Sequence, residues 1–384
     1  MSILGFDEAV LRKRSGLATA REIAQQPETL RATATLVAAE RENLGAFLKP
    51  LLNRPDLRII LTGAGTSAFI GACLVPWLSP RLACGIEAIA TTDITCAPHL
   101  YLDHERPTLL VSFGRSGDSP ESVAAVDLAE RVVHECYHLT ITCNADGKLA
   151  KRMNTVANGR TLCLPEATHD RGFAMTSSFT AMTLAAWGLL GGGAEMTAAS
   201  ERIAASIEHV LAEVRPQVAA LAGQDFDRVV YLGSHVLKGI ACEAALKLLE
   251  LTDGNVMSMH DSPLGFRHGP KTFVTPNTLA VVLLTNDPYS RRYDLDLARE
   301  LLADGRAGQV LLVDAQSNDI DGAVNVRLSG LEASSDVELL FADIAVAQIL
   351  AFHMSLAHGL TPDQPSRSGT VNRVVQGVRI HAAA

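Results

Sequence analysis

The 384 residues carry 48% hydrophobic and 20% charged side chains with 29 glycines and 16 prolines, which excludes disordered and collagen-like chains and allows two domains or one large α/β unit. A formal net charge of −9 argues against a protein that wraps nucleic acid or lies on an anionic membrane. No run of 18 apolar residues occurs. The richest stretch, residues 179–196, is broken by Thr180, Thr183 and three glycines at 191–193, and reads as a buried helix. The N-terminus carries Asp7, Glu8, Arg12, Lys13 and Arg14 where a signal peptide would be apolar. Seven cysteines without a CxxC pair read as reduced, mostly buried thiols. The expectation is a cytoplasmic globular protein with no nucleic-acid and no membrane partner.

In chain order, residues 27–52 read as a long helix with Pro27 in its first turn. Residues 57–63, Leu-Arg-Ile-Ile-Leu-Thr-Gly, read as a buried strand running into a glycine turn. Further strands are expected at 108–112 and 137–143, an amphipathic helix at 196–221, then strands at 227–233, 278–282 and 309–314. Residues 361–369 form a loop, followed by a short apolar tail at 371–380. The strands repeat: Arg228 follows Arg58 by 170 positions, Thr278 follows Thr108 by the same 170, and the third pair is offset by about 172. Strands apolar on both faces and separated by helical stretches imply parallel sheets covered on both sides, in two tandem α/β units. The organisation expected is an N-terminal helical segment at 1–56, a first unit at 57–195, a linking helix at 196–226, a second unit at 227–360 and a C-terminal tail at 361–384.

The sharpest local signal is the run from Ser112 to Glu121, Ser-Phe-Gly-Arg-Ser-Gly-Asp-Ser-Pro-Glu, which leaves a strand and enters a helix. Ser119 suits the N-cap and Pro120 the first helical position. Gly114 and Gly117 let backbone N–H groups converge, and Arg115, Ser116 and Ser119 add donors for a phosphate. The plainer alternative is a capped strand-to-helix turn, and Asp118 opposes an anion unless its carboxylate points away. The turn after the first strand, Gly63-Ala64-Gly65-Thr66-Ser67-Ala68, also matches a dinucleotide fingerprint, but the nearest acid, Asp93, lies 28 positions past Gly65 rather than about 20. Thr66 and Ser67 fit better as two hydroxyls facing the same anion. The second unit lacks this glycine–serine density, so one phosphate site per chain is expected, in the first.

Residues 240–252 read as a helix with Glu243, Lys247 and Glu250 on one face. Periodicity alone favours a solvated stripe with a salt bridge, and a chemical role needs Glu250 to reach a pocket. The loop at 261–271 carries Arg267, His268 and Lys271 among glycines and prolines, the composition of a binding loop. His134 and His138 lack a third ligand, so no metal is expected. The 166–171 run either lines a pocket or caps the helix that follows.

Together, residues 61–71, 112–124, 169–178, 261–271 and 368–377 resemble the sugar isomerase (SIS) family, and within it the AgaS group. The resemblance implies an α/β fold of two tandem SIS modules, each a parallel sheet flanked by helices in a flavodoxin-like three-layer sandwich. It implies conversion of an amino-sugar 6-phosphate, galactosamine 6-phosphate first, to a ketose 6-phosphate (tagatose 6-phosphate) and ammonia, with no cofactor. By similarity to the isomerase domain of glucosamine-6-phosphate synthase, Ser67, Ser116 and Ser119 hold the phosphate, with Gly114 and Arg115 in the loop. Glu250 moves a proton between C1 and C2, and His268 of a neighbouring subunit opens the ring, which implies a homodimer or higher oligomer with the active site at the interface. The tail would lie over that site, with Arg373 among the substrate-binding residues at the position where the synthase has a lysine over the sugar; arginine does not readily give up a proton. Glucosamine-6-phosphate deamination, plain tagatose-6-phosphate ketose/aldose isomerisation and a sugar-phosphate-sensing regulator stay open, although residues 1–56 show no basic recognition helix.

Overall fold

The structure is a computed structural model that describes residues 2–375 and 377–381. It holds two five-stranded parallel sheets. The first comprises β1 (Arg58–Thr62), β2 (Gly85–Ala88), β3 (Thr108–Gly114), β4 (Cys136–Thr142) and β5 (Gly159–Cys163), in the order β2-β1-β3-β4-β5. The second comprises β6 (Arg228–Gly233), β7 (Met257–Asp261), β8 (Thr278–Leu283), β9 (Gln309–Asp314) and β10 (Val324–Arg327), in the order β7-β6-β8-β9-β10. Both follow the 2-1-3-4-5 order of flavodoxin-like folds.

The repeat seen in the sequence is a repeat of register. Arg58 pairs with Thr108, and Arg228 with Thr278. Tyr137 stands beside Leu109 as Gln309 stands beside Leu279, which accounts for the offset of 172 in the third pair. Every residue of β1 and β8 is buried. Such apolar strands leave water on both faces, at about 1.5–3 kcal/mol for each fully buried Val, Leu or Ile.

The chain divides into two compact units made of interleaved segments. Glu28–Asp170, Ser177–Ser200 and residues from 370 onward gather around the first sheet. Residues up to Pro27, Arg171–Thr176 and Glu201–Gly369 gather around the second. In the first unit, Ile60, Leu110, Ala125, Ala129 and Leu149 pack into one cluster beneath helix α1 (Pro120–Val132). In the second, Val230, Leu232, Val282, Leu297 and Leu312 do the same beneath α3 (Ser290–Asp304). Helix α2 (Val236–Leu251) starts four residues earlier than its periodicity suggested. It packs on α4 (Asp336–Ala357).

Helix α4, rather than residues 179–196, is the most apolar long helix: it is long and apolar enough to cross a membrane, yet its apolar window is wholly buried. The expected helix at 27–52 spans Gln26–Leu52, and the one at 196–221 runs from Gly193 to Ala222 through a π-helical stretch at Val210–Val214. Cys73, Cys84, Cys136 and Cys143 are buried, and burial pushes the Cys136 and Cys143 thiols up to about 12.

Candidate active site

Two loops leave the carboxyl ends of β1 and β3, adjacent strands paired Thr62 to Ser112, at the switch point where the order of a doubly wound sheet reverses. The β1 loop turns sharply. A Cβ on Gly63 would lie 2.5 Å from the Ser67 Cβ, so only glycine fits. Thr66 and Ser67, both buried, begin the helix Thr66–Leu78.

The β3 loop is braced by the end of β4. Thr142 Oγ1 donates to the Gly114 carbonyl at 2.6 Å, and Asn144 Nδ2 to the Ser116 carbonyl at 2.9 Å. Gly117 adopts φ +68°. Asp118 accepts from the Lys148 N–H at 3.0 Å, so its carboxylate caps the helix Lys148–Met153 and the objection it raised to an anion falls away. Ser119 takes the N-cap position with Pro120 next, but its hydroxyl donates to Glu121 at 2.8 Å instead of accepting a helical N–H. Arg115 is 6% exposed, and its Nη2 donates to the Arg373 carbonyl at 2.8 Å. Arg373 itself donates through Nε to the Asp170 carbonyl at 3.1 Å. The tail therefore meets the loop, with the Arg373 guanidinium engaged on backbone. The Asp170 carboxylate accepts from the Ser178 N–H at 2.9 Å, so within the 166–171 run Asp170 caps the helix Ser177–Trp187. His138 is buried in β4 and pairs with Glu130 at 2.6 Å. Among the described residues no group of three His, Cys, Asp or Glu is arranged to hold a metal. A cavity of about 620 Å³ beside α1, lined by Cys96, Pro120, Asp127, Arg131 and Lys148, holds none of the candidate catalytic or phosphate-binding residues.

In the second unit the solvated stripe expected on α2 is not solvated. Glu243 and Lys247 are 0% exposed, and only Glu250, with 24% of its side chain exposed, reaches the surface. Lys247 lies 3.6 Å from Glu243 and donates a short hydrogen bond to Glu250. A buried ammonium is tolerated only when paired, and here it is paired twice. Periodicity showed that the three shared a face; it could not show that α4 covers α2. The result is a carboxylate at the end of a rigid helix, held from beneath by a cation and open on its other side. The helix stops where Asp253 (φ +48°) and Gly254 (φ +73°) turn the chain, Gly254 N–H donating to the Leu249 carbonyl.

Arg267 and Lys271, grouped with His268 as binding residues, are instead struts. Arg267 Nε donates to Glu300 at 2.8 Å, and Lys271 pairs with Glu300 and Asp304 on α3. Partial burial would lower the Lys271 ammonium, but Asp304 and Glu300 raise it further. These pairs fasten the loop to α3, and His268 between them is exposed.

The SIS domain family model matches residues 51–190. A Streptomyces coelicolor protein bearing the AgaS name is 48% identical over 371 residues, 96% of each chain. An Escherichia coli protein named D-galactosamine-6-phosphate deaminase AgaS is 46% identical over 369 residues, again 96% of each. The crystal structure of tagatose-6-phosphate ketose/aldose isomerase from Escherichia coli superposes with a TM-score of 0.90 at 43% identity, covering 96% of this chain and 97% of that one.

Proposed function

The chain belongs to the sugar isomerase (SIS) family, in its AgaS group, and from that premise we propose that it deaminates and isomerises galactosamine 6-phosphate to tagatose 6-phosphate and ammonia. The observation that carries this reading is Glu250, a carboxylate at the end of α2, seated on the buried Lys247 and open to solvent on one side.

The phosphate is held by the loops of the first sheet, by Thr66, Ser67 and the stretch Gly114, Arg115, Ser116, Gly117 and Ser119. Binding energy from the remote phosphate then fixes the reacting carbons. His268, exposed on a loop tied down at Arg267 and Lys271, protonates the ring oxygen so that the sugar opens. His268 serves the neighbouring subunit, so the working form is a homodimer or higher oligomer. Glu250 takes the proton from C2 and returns one at C1, giving an enolamine and then a 2-imine. Water adds to the imine carbon, ammonia leaves with the nitrogen, and the ketose remains; in that step the enzyme is a hydrolase. Arg373 fastens the tail beside Arg115.

The test is ammonia release from galactosamine 6-phosphate with tagatose 6-phosphate as co-product. Glu250→Gln should lower turnover by about 10²–10⁴-fold, the usual contribution of a general base, while sugar-phosphate binding survives. Near-normal turnover of that variant removes Glu250 from the chemistry. The plain isomerase reading is favoured by the name of the superposed Escherichia coli structure. Aldose product from tagatose 6-phosphate without any ammonia from the amino sugar would select it, and faster ammonia release from glucosamine 6-phosphate would move the substrate to the gluco epimer.

A further inference from the structure

The switch point of the second sheet has the backbone of the first. Helices α1 and α3 begin at Pro120 and Ser290, again 170 positions apart. Asn286 and Asp287 therefore stand where Ser116 and Gly117 stand, at the turn proposed above to hold the phosphate. In the β6 loop His235 stands where Gly65 stands, with φ +37° and ψ −109° against +56° and −128°.

What differs is the acceptor. The Asn286 N–H donates to Asp336 Oδ1 at 2.5 Å, and the Asp287 N–H to Asp336 Oδ2 at 3.3 Å. His235 Nδ1 accepts from the Val236 N–H at 2.9 Å, which puts the ring proton on Nε2, 3.4 Å from Asp336 Oδ2. Asp336 is the first residue of α4, and only 10% of its side chain is exposed. Burial pushes its carboxyl up, while the Asn286 and Asp287 N–H groups and His235 act against that. The Asp287 carboxylate is turned away and accepts from the Ser290 N–H, as Asp118 is turned away in the first sheet. Among the described residues the N–H groups of Ser116 and Gly117 donate to no protein atom. The helix after the fifth strand begins with Ser177 in the first unit and with Asp336 in the second.

We propose that the second module keeps an oxyanion site at its switch point, that the Asp336 carboxylate is the anion filling it, and that removing this carboxylate admits phosphate there. The inference rests on the phosphate assignment in the first module. It explains why a chain with two equivalent turns would bind one phosphate.

Amide hydrogen exchange on the intact wild-type protein, with and without inorganic phosphate, tests both readings separately. The Asn286 and Asp287 amides should be protected without phosphate and unchanged by it. Those of Ser116 and Gly117 should slow about tenfold or more when phosphate is added, the scale of one net hydrogen bond to a charged group. In Asp336→Gly the amides at 286 and 287 should exchange faster, phosphate should restore their protection, and calorimetry should count two phosphates per chain in place of one. Asp336→Asn, which keeps the shape and one acceptor, should stay at one. Fast or phosphate-sensitive exchange at 286 and 287 in the wild type overturns the proposal, and that readout needs no variant to fold. So does a phosphate count that stays at one in a folded Asp336→Gly. Unresponsive amides at 116 and 117 beside protected ones at 286 and 287 would overturn the phosphate assignment and support the filled site.

Discussion

The loops at 63–67 and 114–119 in the first sheet and at 233–237 and 284–289 in the second leave equivalent strands at equivalent register, so their differences isolate what side chains add to one backbone. The tight approach survives in both: a Cβ on Gly63 would meet Ser67, and a Cβ on Gly233 would lie 2.5 Å from the Leu237 carbonyl oxygen. In the first sheet the loops carry Thr66, Ser67, Arg115, Ser116 and Ser119, and turn their one carboxylate, Asp118, onto a neighbouring helix. In the second they carry His235, Asn286 and Asp287, and the backbone donors meet Asp336. The helix after the first strand also changes character, from the serine start at Thr66–Leu78 to α2 with its buried Lys247 between Glu243 and Glu250. A duplicated backbone thus carries two sets of side chains: hydroxyls and an arginine at the turns of one copy, and in the other a carboxylate on the turn and a second one, Glu250, at the end of α2.

The most direct way to break this comparison is to strip the first loop of its hydroxyls. Ser116→Ala combined with Ser119→Ala should raise KM for the sugar phosphate by about 10–100-fold, since a hydrogen bond to a charged group is worth about 1.5–3 kcal/mol and Ser119 already spends its hydroxyl on Glu121. The value of kcat should change much less, because the phosphate does not react. An unchanged KM in steady-state assays would move the phosphate elsewhere and leave the two switch points without a functional difference.

The sequence showed the frame better than the contacts. Parallel strands buried on both faces read as unbroken apolar runs, and a 170-residue offset can be counted, so three strands of each sheet and their turns were legible; β2, β5, β7 and β10, short or only partly buried, were not. The burial of Glu243 and Lys247 was not, because helical periodicity identifies a shared face but not what lies against it. Arg267 and Lys271 misled for a related reason: cations in a glycine-rich loop look the same whether they await an anion or are already tied to Glu300 and Asp304. Asp336 left no local signal, since its partners are Asn286 and Asp287, about fifty positions earlier.

A second asymmetry lies one face along α4. Asp343 is 1% exposed and neither carboxylate oxygen has a hydrogen-bond partner among the described residues. Burial raises its carboxyl well above the ordinary range, with Asp336 and Asp314 adding to the effect. The folded state therefore holds a proton that the unfolded state gives up near pH 4, so this contribution to stability is present below that pH and is lost as pH rises toward the raised value. Asp343→Asn should have a Tm close to that of wild type at pH 4 and a lead of a few degrees by pH 8. Parallel Tm curves across that range would mean that Asp343 does not titrate as its burial demands.

The smallest effect bears on the turn itself. His235 holds a φ/ψ pair that only glycine adopts freely, and Gly65 holds nearly the same pair in the first sheet. Such strain costs about 1–3 kcal/mol and persists where other contacts enforce it. Here the enforcing contacts are the Val236 N–H on Nδ1 and Asp336 beside Nε2. His235→Ala removes those contacts and keeps the Cβ, whereas His235→Gly removes both. The Gly variant should therefore be more stable than the Ala variant by about 1–3 kcal/mol in denaturant titrations, and within about 1 kcal/mol of wild type, since the lost cap roughly offsets the relieved strain. Equal stability of the two variants would mean that the Cβ is not strained at this turn. Histidine would then be an ordinary occupant rather than one held in a glycine's place by the carboxylate it faces.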